Sequence, residues 1–180
     1  MTETRRAVDR ITAVRVATIL HTLEVPIHFG TWVMRHREFA LVRIDSEHGL
    51  RGFAYCLTRD GPLAAIVERT VGPAYLGEPV DDPERSFHKA LWTNNAVHAA
   101  GIGMRALSVV DLAAWDLAAR AAGQSISAYL GGGRPRMPVT GIVGYPPSIS
   151  AQETVAQIDA LWAKGWRRFK LPIAPTQDES

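Results

Sequence analysis

The sequence predicts an α+β domain followed by the start of an α/β domain. Three features of the 180 residues support this prediction: strand patterns come first, helical patterns follow, and a strand–helix–strand order ends the chain. Before that last order, Tyr129 to Pro138 (YLGGGRPRMP) contains three glycines and two prolines, which neither a helix nor a strand accommodates. We therefore predict two domains, over residues 1–133 and 134–180.

A small antiparallel meander is predicted for the first third of the chain. Ile11 to Val25 is rich in Val, Ile, Thr and Leu, which is typical of one long or bent strand. Glu38 to Asp45 and Leu50 to Leu57 predict two further strands, and the SEHG between them predicts the turn of a hairpin. Alternation along the second strand places Phe39, Leu41 and Arg43 on one face and Ala40, Val42 and Ile44 on the other.

Helices are predicted for the middle of the chain. Pro62 to Thr70 opens on a proline, which the first helical turn tolerates. Asp82-Pro83-Glu84 combines an N-cap, a proline and an acid at the start of a helix that we expect to reach Asn94. Arg105 to Ala122 is the strongest helix, and Gly123 supplies its end. Its predicted buried face comprises Leu107, Val110, Ala114, Leu117 and Ala121.

The end of the chain predicts a parallel βαβ unit. Val139 to Gly144 and Arg168 to Ile173 are its two strands. Between them, Ser150 and Glu153 form a capping box that opens a helix, which Gly165 ends. The apolar side of this helix is predicted to comprise Val155, Ile158 and Trp162.

Composition excludes several classes of protein. The formal net charge is +2 and the basic residues are scattered, so we expect no nucleic-acid partner. No apolar run approaches the roughly 20 residues that cross a bilayer, and the polar first ten residues lack the apolar core of a secretory signal. We therefore expect a cytoplasmic protein with no membrane partner. No histidine spacing suggests a metal site, and we expect His98 in a loop, without a role.

Ala106 to Gly131 (ALSVVDLAAWDLAARAAGQSISAYLG) carries acids, alanines and a closing leucine–glycine at set spacings. This stretch resembles the long-helix signature of the mandelate racemase/muconate lactonizing family of the enolase superfamily. The matching positions are Asp111, Ala113-Ala114, Asp116, Ala119-Arg120 and Leu130-Gly131. Val109 and Tyr129 depart from the signature, where a small residue and a leucine are usual. We expect the charged members of the match to form surface pairs or inter-domain contacts, because such pairs are common on helices.

The resemblance implies an α+β capping domain followed by a TIM-like (β/α) barrel, with residues 134–180 as its first βαβ unit. It also implies a reaction in which Mg²⁺ binds the carboxylate of a small-molecule substrate and a base removes the proton α to it, giving an enediolate. The metal supplies the positive charge that this dianion requires. Because such a barrel takes about 250 residues, we predict a truncated barrel with no metal ligands in this chain. We expect no turnover by the chain alone.

Lys170 is the predicted catalytic residue, the alternative being a strand-end lysine that reaches solvent. It lies near the carboxyl end of the second barrel strand, where barrel enzymes carry their chemistry. Many relatives end this strand in Lys-x-Lys, with the first lysine beside the substrate carboxylate and the second as the general base. Here Pro172 replaces the second lysine, and proline transfers no proton. This favours an acid-sugar dehydratase whose base lies on a later strand. The alternatives are a racemase or cycloisomerase, and a non-catalytic capping or binding remnant.

Two loops of the capping domain are predicted to contact the substrate. Pro26 to Met34 (PIHFGTWVM) resembles the mobile specificity loop of the family. Its candidate substrate-binding residues are His28, Phe29 and Trp32, and Tyr55 beside the second loop is a fourth. The alternatives are that Phe29 and Trp32 fill a cap–barrel interface and that Tyr55 belongs to the core. The resemblance further implies a homo-oligomer, or a complementing chain that carries the rest of the barrel.

Overall fold

The computed structural model describes residues 8–29, 32–133, 136–145 and 149–172, without the side chains of Phe29 and Trp32. The chain divides into two compact units. The first comprises Met1–His21 and Glu38–Gly133, and the second comprises Thr22–Arg37 and Arg134–Ser180. Among the described residues, no helix combines the length and the apolar character needed to cross a membrane.

The antiparallel meander is confirmed, but its first two strands are longer than predicted because they extend into Pro26 to Met34, which was predicted as a loop, and the third begins one residue later. A three-stranded sheet consists, in spatial order, of β1 (Ile11–Phe29), β2 (Trp32–Ser46) and β3 (Arg51–Leu57). The hairpin of β2 and β3 places Leu41 opposite Tyr55 and Val42 opposite Ala54. Ala40, Val42 and Ile44 are fully buried, whereas Leu41 is exposed. The predicted alternation therefore separates a core face of the sheet from an outer face.

The first helical segment continues past its predicted end at Thr70. Helix α1 (Leu63–Ile66) runs through a π-helical turn (Val67–Val71) into α2 (Gly72–Tyr75). Gly72 donates its N–H to the carbonyl of Val67, five residues back. Pro73 then stands in the first turn of α2, where no N–H is needed for the helix. Pro73, a residue that often ends a helix, is therefore accommodated by a single π-helical turn.

The next two predicted helices are confirmed with shifted ends. Asp82 caps α3 (Pro83–Thr93) by accepting from the N–H of Arg85 at 3.0 Å. Helix α5 (Gly101–Ala121) begins one turn earlier than predicted and ends before Gly123, whose φ is +67°. The core of the first unit consists of the inner face of the sheet, α1 to α3 and the buried side chains of α5, among them Leu107, Val110, Ala114 and Leu117.

Ala121 is exposed, so its predicted place on the buried face of α5 is wrong. A Cβ atom on Gly52 would lie 2.6 Å from the Cβ of Leu117, so Leu117 is already level with the beginning of β3. One further turn of the helix carries Ala121 past the strand, where nothing in the sheet can cover it. The apolar spacing of the sequence continues to Ala121, although the sheet on which α5 packs ends before that residue.

His98 corrects a second prediction, because it lies in a short helix, α4 (Asn95–His98), and is fully buried. Its Nδ1 is 2.7 Å from the carbonyl oxygen of Ala90, and its Nε2 is 3.0 Å from the hydroxyl oxygen of Thr70. A carbonyl can only accept, so Nδ1 carries the proton that links α4 to α3. A four-residue helix between Asn94 and two glycines is too short to give a periodic signal.

A second short helix, α6 (Ile126–Tyr129), shifts the predicted linker. Ser125 caps it by accepting from the N–H of Ala128 at 3.1 Å. The ring of Tyr129 meets that of Trp115 edge-on, with centroids 6.1 Å apart. Tyr129 therefore belongs to the first unit, and the glycine-rich segment begins after it.

The parallel βαβ unit is confirmed in the second unit. Strands β4 (Gly141–Ile142) and β5 (Phe169–Lys170) pair in parallel around α7 (Ala151–Ala163), and the strands are shorter than predicted. The capping box of Ser150 and Glu153 is present. Ile173, the predicted end of β5, lies outside the described residues.

The predicted apolar side of α7 is only partly buried. Ile158 is half-buried, whereas Val155 and Trp162 are exposed. Two strands of two residues are too narrow to cover more than one line of side chains on the helix. Leu161 is on that line, because its Cδ1 lies 3.1 Å from the position of a Cβ on Gly141.

Candidate functional site

The carboxyl ends of β4 and β5 lie side by side at one edge of their sheet. Ile142 is opposite Lys170, and Val143 donates its N–H to the carbonyl of Lys170 at 3.1 Å. Gly144, with φ at +71°, donates its N–H to Oε1 of Gln157 on α7 at 3.0 Å. A Cβ on Gly144 would lie 3.5 Å from Cδ of Pro172. This edge therefore carries an exposed lysine beside a proline and a glycine.

The predicted substrate-binding residues divide between the two units. His28 is exposed on β1, in the same unit as Lys170. The side chains of Phe29 and Trp32 lie outside the described residues. Tyr55 is in the first unit, exposed on the outer face of the sheet and edge-on to Phe39 with centroids 6.1 Å apart, so the core alternative for Tyr55 is wrong. The roles of all four residues stay predictions.

The second predicted loop, which follows Tyr55, contains a turn that side-chain hydrogen bonds hold in place. Arg59 and Asp60 both adopt positive φ, 56° and 59°, which costs a non-glycine residue about 1–3 kcal/mol each. Buried Thr58 holds the turn, because its hydroxyl donates to Oε1 of Glu38 at 2.6 Å and accepts from the N–H of Asp60 at 3.2 Å. The turn therefore fixes the backbone of Arg59, an exposed residue just after the end of β3.

Asp116 and Arg120 form the expected ion pair, with Nε of Arg120 donating to Oδ2 of Asp116 at 2.7 Å. The sequence did not predict the second partner of Asp116. The backbone N–H of Phe53 donates to the same oxygen at 2.9 Å, so Asp116 satisfies a donor on the free edge of β3. This acid of the signature therefore joins helix to sheet.

Asp111 is half-buried in the first unit, and none of the ion pairs among the described residues includes it. Burial raises the pKa of its carboxyl to about 6, against a hydrogen bond from Trp115 that acts to lower it. Fully buried Tyr75 is close enough to sense this charge: burial first, and Asp111 second, raise the pKa of its hydroxyl. An ionised Asp111 is therefore poorly solvated.

Asp111→Asn is expected to remove a pH dependence of stability. The pKa of the acid is higher in the folded chain, about 6, than its ordinary 3.8. The stability that the folded chain has with Asp111 protonated is therefore fully present below about pH 4, and it is lost as the pH rises through 6 and the carboxyl ionises. Thermal unfolding of both proteins from pH 4 to 8 should show the Asp111→Asn variant gaining Tm relative to wild type above pH 5. Parallel curves would contradict the raised pKa.

No three His, Cys, Asp or Glu side chains in the described part of the chain lie together as a metal site.

Residues 11–131 match the model of the mandelate racemase/muconate lactonizing enzyme N-terminal domain. The chain belongs to this family. It thereby belongs to the enolase superfamily, and the capping fold of meander and helices is that of the family.

Two curated relatives are about a third identical to the chain over the residues that align. D-galactarolactone cycloisomerase of Agrobacterium fabrum is 34% identical over 128 residues, covering 68% of this chain and 32% of the relative. N-succinylamino acid racemase of Thermus thermophilus is 31% identical over 170 residues, covering 90% of this chain and 45% of the relative. The chain therefore spans less than half the length of these relatives.

Solved structures of the family share the fold. The crystal structure of L-talarate/galactarate dehydratase from Salmonella typhimurium LT2 superposes with a TM-score of 0.80 at 22% identity, over 98% of this chain and 47% of that one. A mandelate racemase/muconate lactonizing enzyme-like protein from Rubrobacter xylanophilus gives the same TM-score at 22% identity, over 94% of this chain. The superposition extends past the capping fold into the βαβ unit, since residues 11–131 alone are a smaller share.

Proposed function

We propose that this chain is the capping domain and first barrel strands of an enzyme that removes a proton α to a carboxylate, and that the enzyme is an acid-sugar dehydratase. The family match carries the first part of the proposal. Relatives named L-talarate/galactarate dehydratase and D-galactonate dehydratase family member support the second. The 34% identity to a cycloisomerase favours lactone cycloisomerisation as the second candidate.

Lys170 has the chemistry to hold a substrate carboxylate in this proposal. An exposed ammonium at the carboxyl end of a parallel strand can form a charge-assisted hydrogen bond with a carboxylate. Pro172, at the position of the usual second base, can neither accept nor donate a proton, so we propose that the base lies on a later strand of the barrel. His28, Phe29, Trp32 and Tyr55 are proposed to select the substrate by contacts from the cap.

Magnesium is part of the proposed whole enzyme. Related structures were crystallised with Mg, one of them with L-glucarate. The described residues provide no cluster of metal ligands, so this chain is not proposed to hold the ion itself. We propose that the ion, the base and the remaining strands come from the rest of the barrel, and that the 180-residue chain alone has no turnover.

Lys170→Met tests the proposed role in a protein that carries this segment with a complete barrel. We expect kcat/KM on an acid sugar such as galactarate to fall about 10²–10³-fold, the usual cost of losing one preorganised charge partner. Lys164→Met, which removes an exposed lysine just after α7, is the matched control. Equal effects of the two substitutions would contradict a specific role for Lys170.

Exchange of the α-proton in D₂O separates the reaction classes. A dehydratase with one base should exchange or eliminate from one face of the substrate, whereas a racemase exchanges at both faces.

The purified 180-residue chain with Mg²⁺ is expected to show neither exchange nor product by NMR. Magnesium-dependent turnover by that chain would contradict the proposal that the metal site lies elsewhere.

A further inference from the structure

Three arginines converge on one carboxylate at the end of the three-stranded sheet. Arg15, on β1, donates from Nε to Oδ2 of Asp45 at 3.1 Å, and Arg43, on β2, donates to the same oxygen from Nη2 at 3.1 Å. Nε of Arg51, the first residue of β3, lies 3.6 Å from Oδ1 of Asp45. Each strand therefore supplies one guanidinium, and these four residues form an arginine cluster.

The pairing of the strands places Asp45 between two of the arginines. Asp45 is directly opposite Arg51 in the hairpin, and β1, which carries Arg15, lies on the other side of β2. Neighbouring strands are about 4.8 Å apart, so the strands of Arg15 and Arg51 are separated by about 10 Å. All four residues belong to the first unit, so the cluster is independent of the reaction proposed above.

The carboxylate of the cluster is recessed and ionised. The side chain of Asp45 is 18% exposed, whereas those of Arg15 and Arg51 are 64% and 62% exposed. Burial acts to raise the pKa of the Asp45 carboxyl, but hydrogen bonds from Arg15 and Arg43 outweigh it and hold the pKa below its ordinary 3.8. The part of the cluster that meets solvent therefore consists of guanidinium groups.

The cluster has more positive charge and more donors than Asp45 can match. Three guanidiniums around one carboxylate leave a net charge of +2. A carboxylate accepts about four hydrogen bonds, whereas each guanidinium offers five N–H groups. Arg15 and Arg51 approach Asp45 through Nε, so their terminal nitrogens remain for a second acceptor on the solvent side.

Stability alone does not account for three arginines. One arginine is enough to neutralise Asp45, and exposed ion pairs contribute little to the free energy of unfolding. The other two guanidiniums add repulsion between like charges, which a single carboxylate does not remove. A second anion bound over Asp45 would remove it. The surplus of arginines therefore indicates an anion-binding site.

A phosphate group suits this site best. It carries a charge of about −1.5 to −2 at pH 7 and several strong acceptor oxygens, which match the net charge and the free donors. Arginine forks bind phosphate through paired hydrogen bonds. A nucleic-acid strand would also need rings on which its bases stack, but Cζ of Arg120 lies over the ring of Phe53, 5.7 Å from its centroid.

We propose that the arginine cluster binds a phosphate group, with Arg15 and Arg51 donating to it from two sides. Asp45 positions the guanidiniums, and the bound anion neutralises the charge that Asp45 leaves. Because the anion joins β1 to β3 across β2, its binding stabilises the first unit. Inorganic phosphate and the phosphate of a small monoester share this chemistry.

Titration of the full 180-residue chain with inorganic phosphate, at constant ionic strength, tests the site by NMR. The Nε–H signals of Arg15 and Arg51 should shift and saturate, with a Kd of about 1 mM. Arg15→Met and Arg51→Met are each expected to raise the Kd about tenfold, since each removes one charged donor. Arg69→Met is the matched control, because Arg69 is exposed on the π-helical turn, outside the cluster, and should leave the Kd unchanged.

Asp45→Asn separates a binding site from a set of structural ion pairs. The three arginines then lose the carboxylate between them, so the Tm without phosphate should fall below that of wild type. Phosphate at about 20 times its Kd should raise the wild-type Tm by about 5 °C. The gain should be larger for Asp45→Asn, because the anion then replaces the missing carboxylate. Sodium chloride at equal ionic strength controls for screening.

Phenyl phosphate and succinate identify the ligand. Phenyl phosphate binding more tightly than inorganic phosphate assigns the site to monoesters, and the reverse assigns it to the free ion; both support the proposal. Succinate binding more tightly than phosphate overturns it, as do signals that do not saturate by about 20 mM phosphate. It is also overturned if Arg15→Met and Arg51→Met bind phosphate as tightly as Arg69→Met, or if Asp45→Asn gains no more Tm than wild type.

Discussion

Gly52→Ala is expected to destabilise the first unit by about 3 kcal/mol or more, with a fall in Tm of roughly 10 °C. A Cβ at this position would stand 2.2 Å from the carbonyl oxygen of Ala113 and 2.6 Å from the Cβ of Leu117. Neither atom is the end of a flexible side chain, so helix α5 has to move away from β3. That movement would loosen the core contacts that α5 makes with the sheet.

Gly133→Ala is the matched control for this substitution. Among the described residues, no atom lies within 4 Å of a Cβ on Gly133, so the Tm of Gly133→Ala should stay within about 2 °C of wild type. Thermal and urea unfolding of the three proteins measure the difference. If Gly52→Ala unfolds together with the wild-type protein, the close packing of β3 on α5 is contradicted.

His98→Ala is expected to cost about 3–4 kcal/mol of unfolding free energy. The substitution empties a fully buried volume and removes the donor to the carbonyl of Ala90. The hydroxyl of Thr70 loses its contact with Nε2 but keeps the carbonyl of Ile66 at 2.9 Å, so its loss is partial. The largest part of the cost therefore comes from the cavity and the orphaned carbonyl.

His88→Ala provides the comparison, because His88 is exposed on α3 and its loss should change stability by less than about 0.5 kcal/mol. Urea unfolding at neutral pH gives both values. A His98→Ala protein as stable as His88→Ala would show that the buried imidazole does not link α3 and α4. His98→Gln, which can restore one hydrogen bond, should lie between the wild type and His98→Ala.

The sequence predicted the elements that local chemistry defines. Ser150 and Glu153 cap a helix through their own neighbours, and Asp82 does the same for α3. The alternation from Phe39 to Ile44 predicted which residues of β2 share a face, because a strand repeats every two residues whatever lies beside it. The spacing of acids and alanines in α5 was sufficient to indicate the family before any coordinates.

The failures of the sequence prediction share one cause. His98 was expected in a loop because its helix is only four residues long, and its partners Thr70 and Ala90 are distant in sequence. Asp111 was expected in a surface pair or an inter-domain contact, but it is half-buried and accepts a hydrogen bond from Trp115. In each case the deciding contact comes from another element or another turn of the helix, which no local pattern contains.

By itself, the sequence determined the order of the strands and of the longer helices, the capping residues, the family and Lys170 as the residue to test, because spacing along the chain encodes these features. Tertiary structure alone decided that Asp116 also accepts a hydrogen bond from the free edge of β3, and that Tyr55 lies on the exposed outer face of the sheet. Such features depend on which surfaces meet across long sequence separations. Which side chains are exposed at those surfaces, and which charged groups lie together there, is decided only when the chain folds.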